Sequence, residues 1–230
     1  MAKKTALAIY MDEIAAEVHK YLKTIGYRKF GHTYNRETEP GLIQVINLQA
    51  APYFSSIHGL FTVNLSVYIR EVEEVRFESP PPRDRHVKEY DGDFRMRLDE
   101  LIVRGYDPLQ YYDAKSRWWR IGEDTQAIGA EITTLLQRYG QPYLDEYNSR
   151  AAILGHWTKI ENNSPDLEND WHVFWLHRVA VIILAKQGDL ETAKRYMQEE
   201  YNILSKHWNP AQKEYARQLA QRLGISLDTQ

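Results

Sequence analysis

Residues 61 to 69 alternate apolar and polar side chains without interruption, in the order Phe61-Thr-Val-Asn-Leu-Ser-Val-Tyr-Ile69. A period of two is typical of a β-strand that is buried on one face only. Because the flanking stretches have helical patterns, we expect this strand to belong to an antiparallel sheet with one open face. That open face would carry Thr62, Asn64, Ser66 and Tyr68, and it is the natural place to search for a ligand.

The stretches around this strand predict further strands and helices. Apolar residues recur at helical spacing between residues 5 and 25, and Gly26 follows as a stop signal. The turn residues Glu39-Pro-Gly41 separate two strand-like runs, which predicts a hairpin. Residues 94 to 103 fit either a fourth strand or a helix, and a short strand is expected around Trp118-Trp119.

These elements predict an α+β fold. We expect an antiparallel sheet of four to five strands packed on an N-terminal helix and a following helix, with a C-terminal all-helical extension. Residues 1–147 would form the α+β domain with its open-faced sheet, and residues 148–230 a helical extension packed as antiparallel hairpins. The join Lys186-Gln-Gly-Asp-Leu190 resembles that of tetratricopeptide-type repeats, but no repeat period accompanies it.

Charge and residue content exclude several classes of function. The formal net charge of −3 argues against nucleic-acid binding, and the absence of cysteine excludes disulfides and thiolate sites. The longest apolar stretch, residues 179–185, is far shorter than the roughly 20 residues of a membrane span, so no membrane contact is expected. The N-terminal apolar stretch ends at Asp12 and Glu13, too early for a secretory signal. We therefore expect a cytoplasmic protein.

Six short segments occur in an order that is characteristic of one family. They are Gly26-Tyr-Arg-Lys29, Tyr34-Asn-Arg36, Gly41-Leu-Ile-Gln-Val-Ile-Asn-Leu-Gln49, Gly59-Leu-Phe-Thr-Val-Asn-Leu65, Arg95-Met-Arg-Leu98 and Trp118-Trp119. Through them the chain resembles, over about residues 5–145, the bacterial family called domain of unknown function 4304. The resemblance implies an α+β domain of undescribed activity, and it carries over no catalytic residue.

Polar side chains are expected to project from one face of the predicted sheet. Those on the face are Asn47, Gln49, Asn64, Ser66, Tyr68, Arg95 and Arg97, with Arg36 near the rim. Guanidinium groups bind carboxylate or phosphate with two hydrogen bonds, and side-chain amides both donate and accept. The face therefore suits an anion or an extended chain. The alternative is a solvated face on which Arg95 and Arg97 pair with nearby carboxylates.

Aromatic residues offer a second kind of contact. Trp118 and Trp119 are adjacent on a predicted strand, so they must face opposite ways, one toward the core and one toward a ligand or partner. The favoured alternative is that both are structural. Trp208 precedes Asn209-Pro210 in the helical extension and is a candidate anchor for a protein partner.

The sequence predicts no catalytic residue, no metal site and no cofactor. None of the eight histidines forms an HExxH motif or another i, i+4 pair with a carboxylate partner. Ser55, Ser56 and His58 share a loop, but no G-x-S-x-G elbow would expose a serine nucleophile. The question of enzymatic activity stays open, with a non-enzyme favoured.

Two functional hypotheses remain. The first is a non-catalytic cytosolic module that binds an unknown protein partner through the polar sheet face or the aromatic helical tail. The second is an enzyme or small-molecule binder that holds an anionic ligand with Arg95 and Arg97. Homo-oligomerisation is compatible with either hypothesis.

Overall fold

The structure is a computed structural model, and it describes residues 4–53, 56, 58–77, 86–104, 118–163, 167, 170–206 and 210–228. The chain forms two compact units. The first comprises Met1–Tyr68 and Asp84–Asn148, and the second comprises Ile69–Arg83 and Ser149–Gln230. The sequence-based boundary after residue 147 assigned residues 69–83 to the first domain, whereas the structure groups them with the second unit.

The first unit confirms the predicted α+β architecture with an antiparallel sheet. Its strands are β1 (Arg28–Phe30), β2 (Thr33–Glu39), β3 (Leu42–Ala50), β4 (Leu60–Ile69), β5 (Phe94–Arg97) and β6 (Trp119–Arg120). The order in the sheet is β1-β2-β3-β4-β5, and β6 pairs with β4 on the same side as β5. Its helices are α1 (Ala6–Thr24), α3 (Leu98–Arg104), α4 (Thr125–Leu135) and α5 (Gln141–Asp145).

Helix α1 begins and ends where its sequence predicts. The Thr5 hydroxyl caps its N-terminus by accepting a hydrogen bond from the Ala8 N–H. The apolar residues Met11, Ile14, Val18 and Leu22 form one buried face. Gly26 has a φ of 91°, a left-handed conformation that a side chain would disfavour, and it ends the helix. Apolar spacing and turn chemistry therefore specify this helix together.

The two alternatives for residues 94 to 103 are both partly correct. Phe94–Arg97 is strand β5, which pairs with β4, and the chain turns directly into helix α3 at Leu98. Apolar residues at Phe94, Met96 and Leu98 alternate as in a strand, whereas Leu98, Leu101 and Ile102 have helical spacing. A single window of ten residues therefore contains two patterns in succession.

The second unit is helical among its described residues. Its helices are α2 (Arg70–Arg76), α6 (Arg150–Glu161), α7 (Trp171–Gln187), α8 (Leu190–Lys206) and α9 (Pro210–Arg222). Asp170 caps α7, with its carboxylate accepting from the N–H groups of His172 and Val173, and Gly188 ends the helix with a φ of 90°. Arg150 binds both oxygens of Glu71, at 2.5 and 2.7 Å, and so ties α6 to α2.

A buried ion pair joins α7 to α8. The Arg178 guanidinium binds the Glu200 carboxylate, and both side chains are almost completely excluded from solvent. The guanidinium also lies 4.7 Å from the ring centres of Phe174 and Tyr215. His177 is fully buried, with Nδ1 3.7 Å from Glu200 Oε2. In a buried ion pair of this kind, replacing either partner leaves the other charge unpaired, so we expect either replacement to destabilise the packing of α7 on α8.

Candidate functional site

The register of β2, β3, β4 and β5 defines two faces of the sheet. Residues directly opposite each other share a face, and Thr33 lies opposite Asn47 just as Asn64 lies opposite Arg97. Asn64 also donates a hydrogen bond to Gln49, which joins these two pairs into one surface. We call this surface face B. The other surface, face A, meets α1, because the Tyr34 hydroxyl donates to the carbonyl of Ala15.

Arg36 does not lie at the rim of the polar face. It lies opposite Gln44 on face A. Its neighbour Asn35 lies on face B, because successive residues of a strand point to opposite faces. Its guanidinium donates to Gln44 Oε1, to the carbonyl of Ile25 at 3.3 Å and to Asp145 at 3.0 Å. The expected contact with a ligand is therefore replaced by internal contacts.

A strap, residues 86–92, crosses face B from β1 to β5. His86 stacks on Phe30 of β1, with ring centres 4.9 Å apart. Val87 is held by Asn35 of β2 and packs with Val45 of β3 and Tyr68 of β4. At its far end Glu89 forms a 2.8 Å ion pair with Arg95 of β5. The strap therefore covers part of the face that the sequence predicts to be open.

The contact between Asn35 and Val87 fixes the main chain of the strap. Asn35 Nδ2 donates to the Val87 carbonyl at 3.0 Å, and the Val87 N–H donates to Asn35 Oδ1 at 2.8 Å. The side-chain amide of Asn35 thus binds both the N–H and the carbonyl of Val87. Further along, a Cβ on Gly92 would lie 2.5 Å from Ser66, so only glycine permits this approach.

The prediction that β4 is buried on one face only is wrong. Its polar positions are as well buried as its apolar ones, with exposed fractions of 2% for Thr62, 6% for Asn64, 0% for Ser66 and 2% for Tyr68. The strap covers Ser66 and Tyr68. Asn64 lies between Gln49 of β3 and Arg97 of β5, because β4 is an interior strand.

Beside the strap, face B keeps an open sector formed by Asn47, Gln49, Asn64, Arg97 and Trp118. Gln49 is exposed, Asn64 forms the floor, and the other three are half-buried. Asn64 Nδ2 donates to Gln49 Oε1 at 2.6 Å. Side-chain amides and one guanidinium therefore meet on this part of the sheet.

Arg97 is the charged group of the open sector. Its Nε donates to Asp99 Oδ1 at 3.0 Å, and its guanidinium carbon lies 5.0 Å from the Trp118 ring centre. Within the described part of the chain, Arg97 Nη2 has no hydrogen-bond partner although it is buried, and the same holds for Thr62 Oγ1. Continuing the β4–β6 register by one residue places Trp118 opposite Thr62. Two buried hydrogen-bond donors therefore lie close to the aromatic ring of this sector.

The remaining predicted contacts lie elsewhere. Arg95 points from face B but is paired with Glu89 of the strap. Trp119 is buried opposite Phe61 of β4, on the other side of the strand from Trp118, so the two tryptophans do face opposite ways. Trp208 lies outside the described residues.

The described residues contain no group of three or more His, Asp or Glu side chains that could hold a metal ion. No helix among them has the length and apolar character needed to cross a membrane.

Sequence reasoning missed Asn35, Val87 and Gly92, which hold the strap on face B. The strand pattern of residues 34–36 predicts which face of the sheet Asn35 lies on. It does not predict which residue the Asn35 side chain contacts. Val87 lies 52 residues further along the chain. The one local indication was the mixed polar and apolar composition of residues 86–92, which resembles that of many surface loops.

Fold and site together define an α+β protein whose antiparallel sheet is crossed on one face by a strap. A family model described as a domain of unknown function (DUF4304) matches residues 18–146, which is more than half of the chain. The chain therefore belongs to this family, as the order of its six short sequence segments predicts. Comparisons with curated proteins and with solved structures found no match.

Proposed function

We propose that the chain is a non-catalytic protein-binding module and that the open sector of face B holds an extended segment of a partner protein. The observation that carries the proposal is the strap itself. The same face already holds a peptide segment, through two hydrogen bonds from Asn35 to the main chain of Val87. A side-chain amide that pairs with the main chain recognises an extended segment whatever its side chains are.

The open sector has amides of the same kind. Asn64 and Gln49 use one donor and one acceptor on each other. In the part of the chain that the structure describes, Gln49 Nε2 and Asn64 Oδ1 make no other hydrogen bond. One donor and one acceptor are therefore available side by side, as the main chain of a bound segment requires.

Arg97 and Trp118 add an anchor to this main-chain contact. Arginine and tryptophan are enriched among the residues that dominate binding energies at protein interfaces. Asp99 binds Nε of Arg97 and leaves Nη2 without a partner among the described residues. We infer that the partner segment carries an acidic side chain that reaches this nitrogen.

A small ligand with a carboxylate is the second candidate. The observation that favours it is the pair of buried, unpartnered donors, Arg97 Nη2 and Thr62 Oγ1, in the described part of the chain. Arg95 would not contribute, because Glu89 of the strap neutralises it. This candidate differs from the first in needing no contact with Gln49.

We also infer that the module acts in the cytoplasm of a bacterium. Cell fractionation of the tagged chain tests this inference, and recovery outside the cytoplasm would contradict it.

Panning a library of displayed, unstructured peptides on the whole chain tests the binding proposal. Selected peptides should bind with a dissociation constant of about 1–100 μM, and Gln49→Leu should weaken them about tenfold. The matched control is Gln137→Leu, the same change at an exposed residue outside face B, which should leave the affinity unchanged.

Titration with glutarate, a simple dicarboxylate, separates the two candidates. Binding of glutarate that is insensitive to Gln49→Leu, together with no Gln49-dependent peptide, would favour the small ligand. If neither probe binds in a way that depends on Gln49 or Trp118, the open sector is not a binding site.

A further inference from the structure

Gln198 on α8 makes a second contact of the kind that holds the strap. Its Nε2 donates to the Asp228 carbonyl at 3.3 Å, and the Asp228 N–H donates to its Oε1 at 2.8 Å. The side-chain amide thus pairs with both main-chain groups of one residue, as Asn35 does with Val87. This contact lies wholly in the second unit and is independent of the function proposed for face B.

The segment held by Gln198 follows α9. The chain reverses at Gly224, whose φ is 70°, and the Ile225 N–H returns to the Ala220 carbonyl at 2.8 Å. Ile225 is buried, whereas Ser226 and Asp228 are exposed. Residues 226–228 therefore lie at the surface, and Gln198 binds the main chain of Asp228.

The two sides of α8 have different roles. Ala193, Tyr196, Met197, Glu200 and Tyr201 form its buried side. The opposite side lines a shallow groove of about 740 Å³. The described residues that line it are Glu191, Lys194, Arg195, Gln198, Glu199, Asn202 and Ile203. Because Gln198 belongs both to the groove and to the contact with Asp228, the chain's own segment meets the groove at this residue.

The dimensions and the charge of the groove limit what it can hold. Glu191 and Asn202 are eleven positions apart in the sequence. This is about 16 Å along a helix, the length of about five residues of extended chain. Two acidic and two basic side chains balance each other along it, and Arg195 also lies 3.7 Å from Glu161. A short segment of near-neutral charge fits these limits better than a strongly charged one.

We propose that the outer side of α8 is a docking site for an extended segment of near-neutral charge from a partner protein, recognised through its main chain by Gln198. Asp228 occupies the Gln198 part of this site in the free chain. A partner segment competes with Asp228, so release of residues 226–228 accompanies docking. The internal segment thereby lowers the apparent affinity of the site for its partner.

A peptide copy of the internal segment provides the probe. A capped, fluorescein-labelled peptide of residues 224–230 is titrated by fluorescence anisotropy against the chain shortened after Ile225, which retains that buried side chain. Saturable binding is expected, about tenfold tighter than to the full chain, in which the internal segment competes. A scrambled peptide should bind within about threefold, because the contact is to the main chain.

Matched variants localise the contact. Gln198→Leu in the shortened chain should weaken the peptide about tenfold, whereas Gln221→Leu, the same change at an exposed residue of α9, should not. Full-length Asp228→Pro lacks the N–H that donates to Gln198, so it should bind the peptide about tenfold tighter than the unmodified chain. This variant keeps the test decisive if shortening unfolds the protein.

Absence of saturable binding to both the shortened chain and Asp228→Pro, with helical circular dichroism retained, would overturn the proposal. Binding that is unaffected by Gln198→Leu would also overturn it. Failure of the scrambled peptide alone would restrict the site to this chain's own segment and so exclude a partner. None of these results depends on whether face B binds a ligand.

Discussion

Gln44 is completely buried, and its side-chain amide still has its partners. Its Oε1 accepts from the Tyr27 hydroxyl at 2.9 Å and from two nitrogens of Arg36, and its Nε2 donates to the Leu144 carbonyl at 2.7 Å. Burial raises the pKa of Tyr27, so the phenol stays protonated and donates throughout the neutral range. Arg36 is thus held by structural contacts and belongs to the core of the first unit.

Replacing Gln44 tests this structural role. Gln44→Leu should lower the free energy of unfolding by about 3 kcal/mol, because several buried polar groups lose their partner at once. Urea denaturation followed by tryptophan fluorescence measures the change. Gln137→Leu, the same substitution at an exposed position, should change it by less than about 0.5 kcal/mol. Equal stability of the two variants would contradict the role given to Gln44.

Gly92 permits a close approach of the strap to β4. Gly92→Ala should cost about 1–3 kcal/mol of stability, because the added Cβ would lie 2.5 Å from Ser66. Gly122→Ala is the matched control in the same unit, since a Cβ there meets nothing within 4 Å. Thermal unfolding of both variants measures the difference, and a stable Gly92→Ala variant would show that the strap does not lie against Ser66.

The strap is the element that sequence patterns could not place. Alternation in residues 61–69 correctly predicts strand β4, but it cannot tell whether the polar positions face solvent or another segment. The relevant contact joins Asn35 to Val87, 52 residues apart. The face of Arg36 was unpredictable for a related reason, since it depends on strand register and a shift of one residue exchanges the faces.

Asn35→Ala should loosen the strap without unfolding the sheet. The Val87 N–H loses its acceptor, so its hydrogen exchange should become about tenfold faster or more. Asn47→Ala is the control, because it removes a hydrogen bond to Thr33 on the same face and leaves the strap contacts intact. Unchanged exchange at Val87 in Asn35→Ala would mean that other contacts hold the strap.

The ion pair between α7 and α8 predicts a dependence of stability on pH. Burial alone would raise the pKa of Glu200, but the nearby His177 ring and the charge and hydrogen bonds of Arg178 outweigh it, so the pKa lies below the ordinary value of 4.5. A carboxylate with a lowered pKa stabilises the fold above its unfolded-state pKa, and this stability is lost as pH falls through the folded-state pKa.

Glu200→Gln should therefore destabilise the chain by about 3 kcal/mol at pH 7 and reduce the loss of stability below about pH 4.5. Urea denaturation between pH 3 and 7 measures both effects. Parallel pH profiles for the variant and the unmodified chain would contradict the ionised state given to Glu200.

At the scale of the whole chain, local patterns specify elements, and long-range contacts specify the site. Helix α1 begins after Thr5 and ends before Gly26, where apolar spacing and the stop signal predict its ends. The shared face of Asn64 and Arg97 also follows from pairing the strands in order. The extent to which that face is open depends on the strap, and membership of α2 in the second unit depends on its bond to Arg150.

Chemical-shift mapping of a peptide selected on the whole chain tests whether face B binds an extended segment. The largest changes in the ¹⁵N-resolved spectrum should fall on the side-chain amides of Gln49 and Asn64 and on the indole N–H of Trp118, with the Val87 signal nearly unchanged. Changes confined to residues outside face B, or displacement of the strap without changes at Gln49 and Asn64, would contradict binding in the open sector.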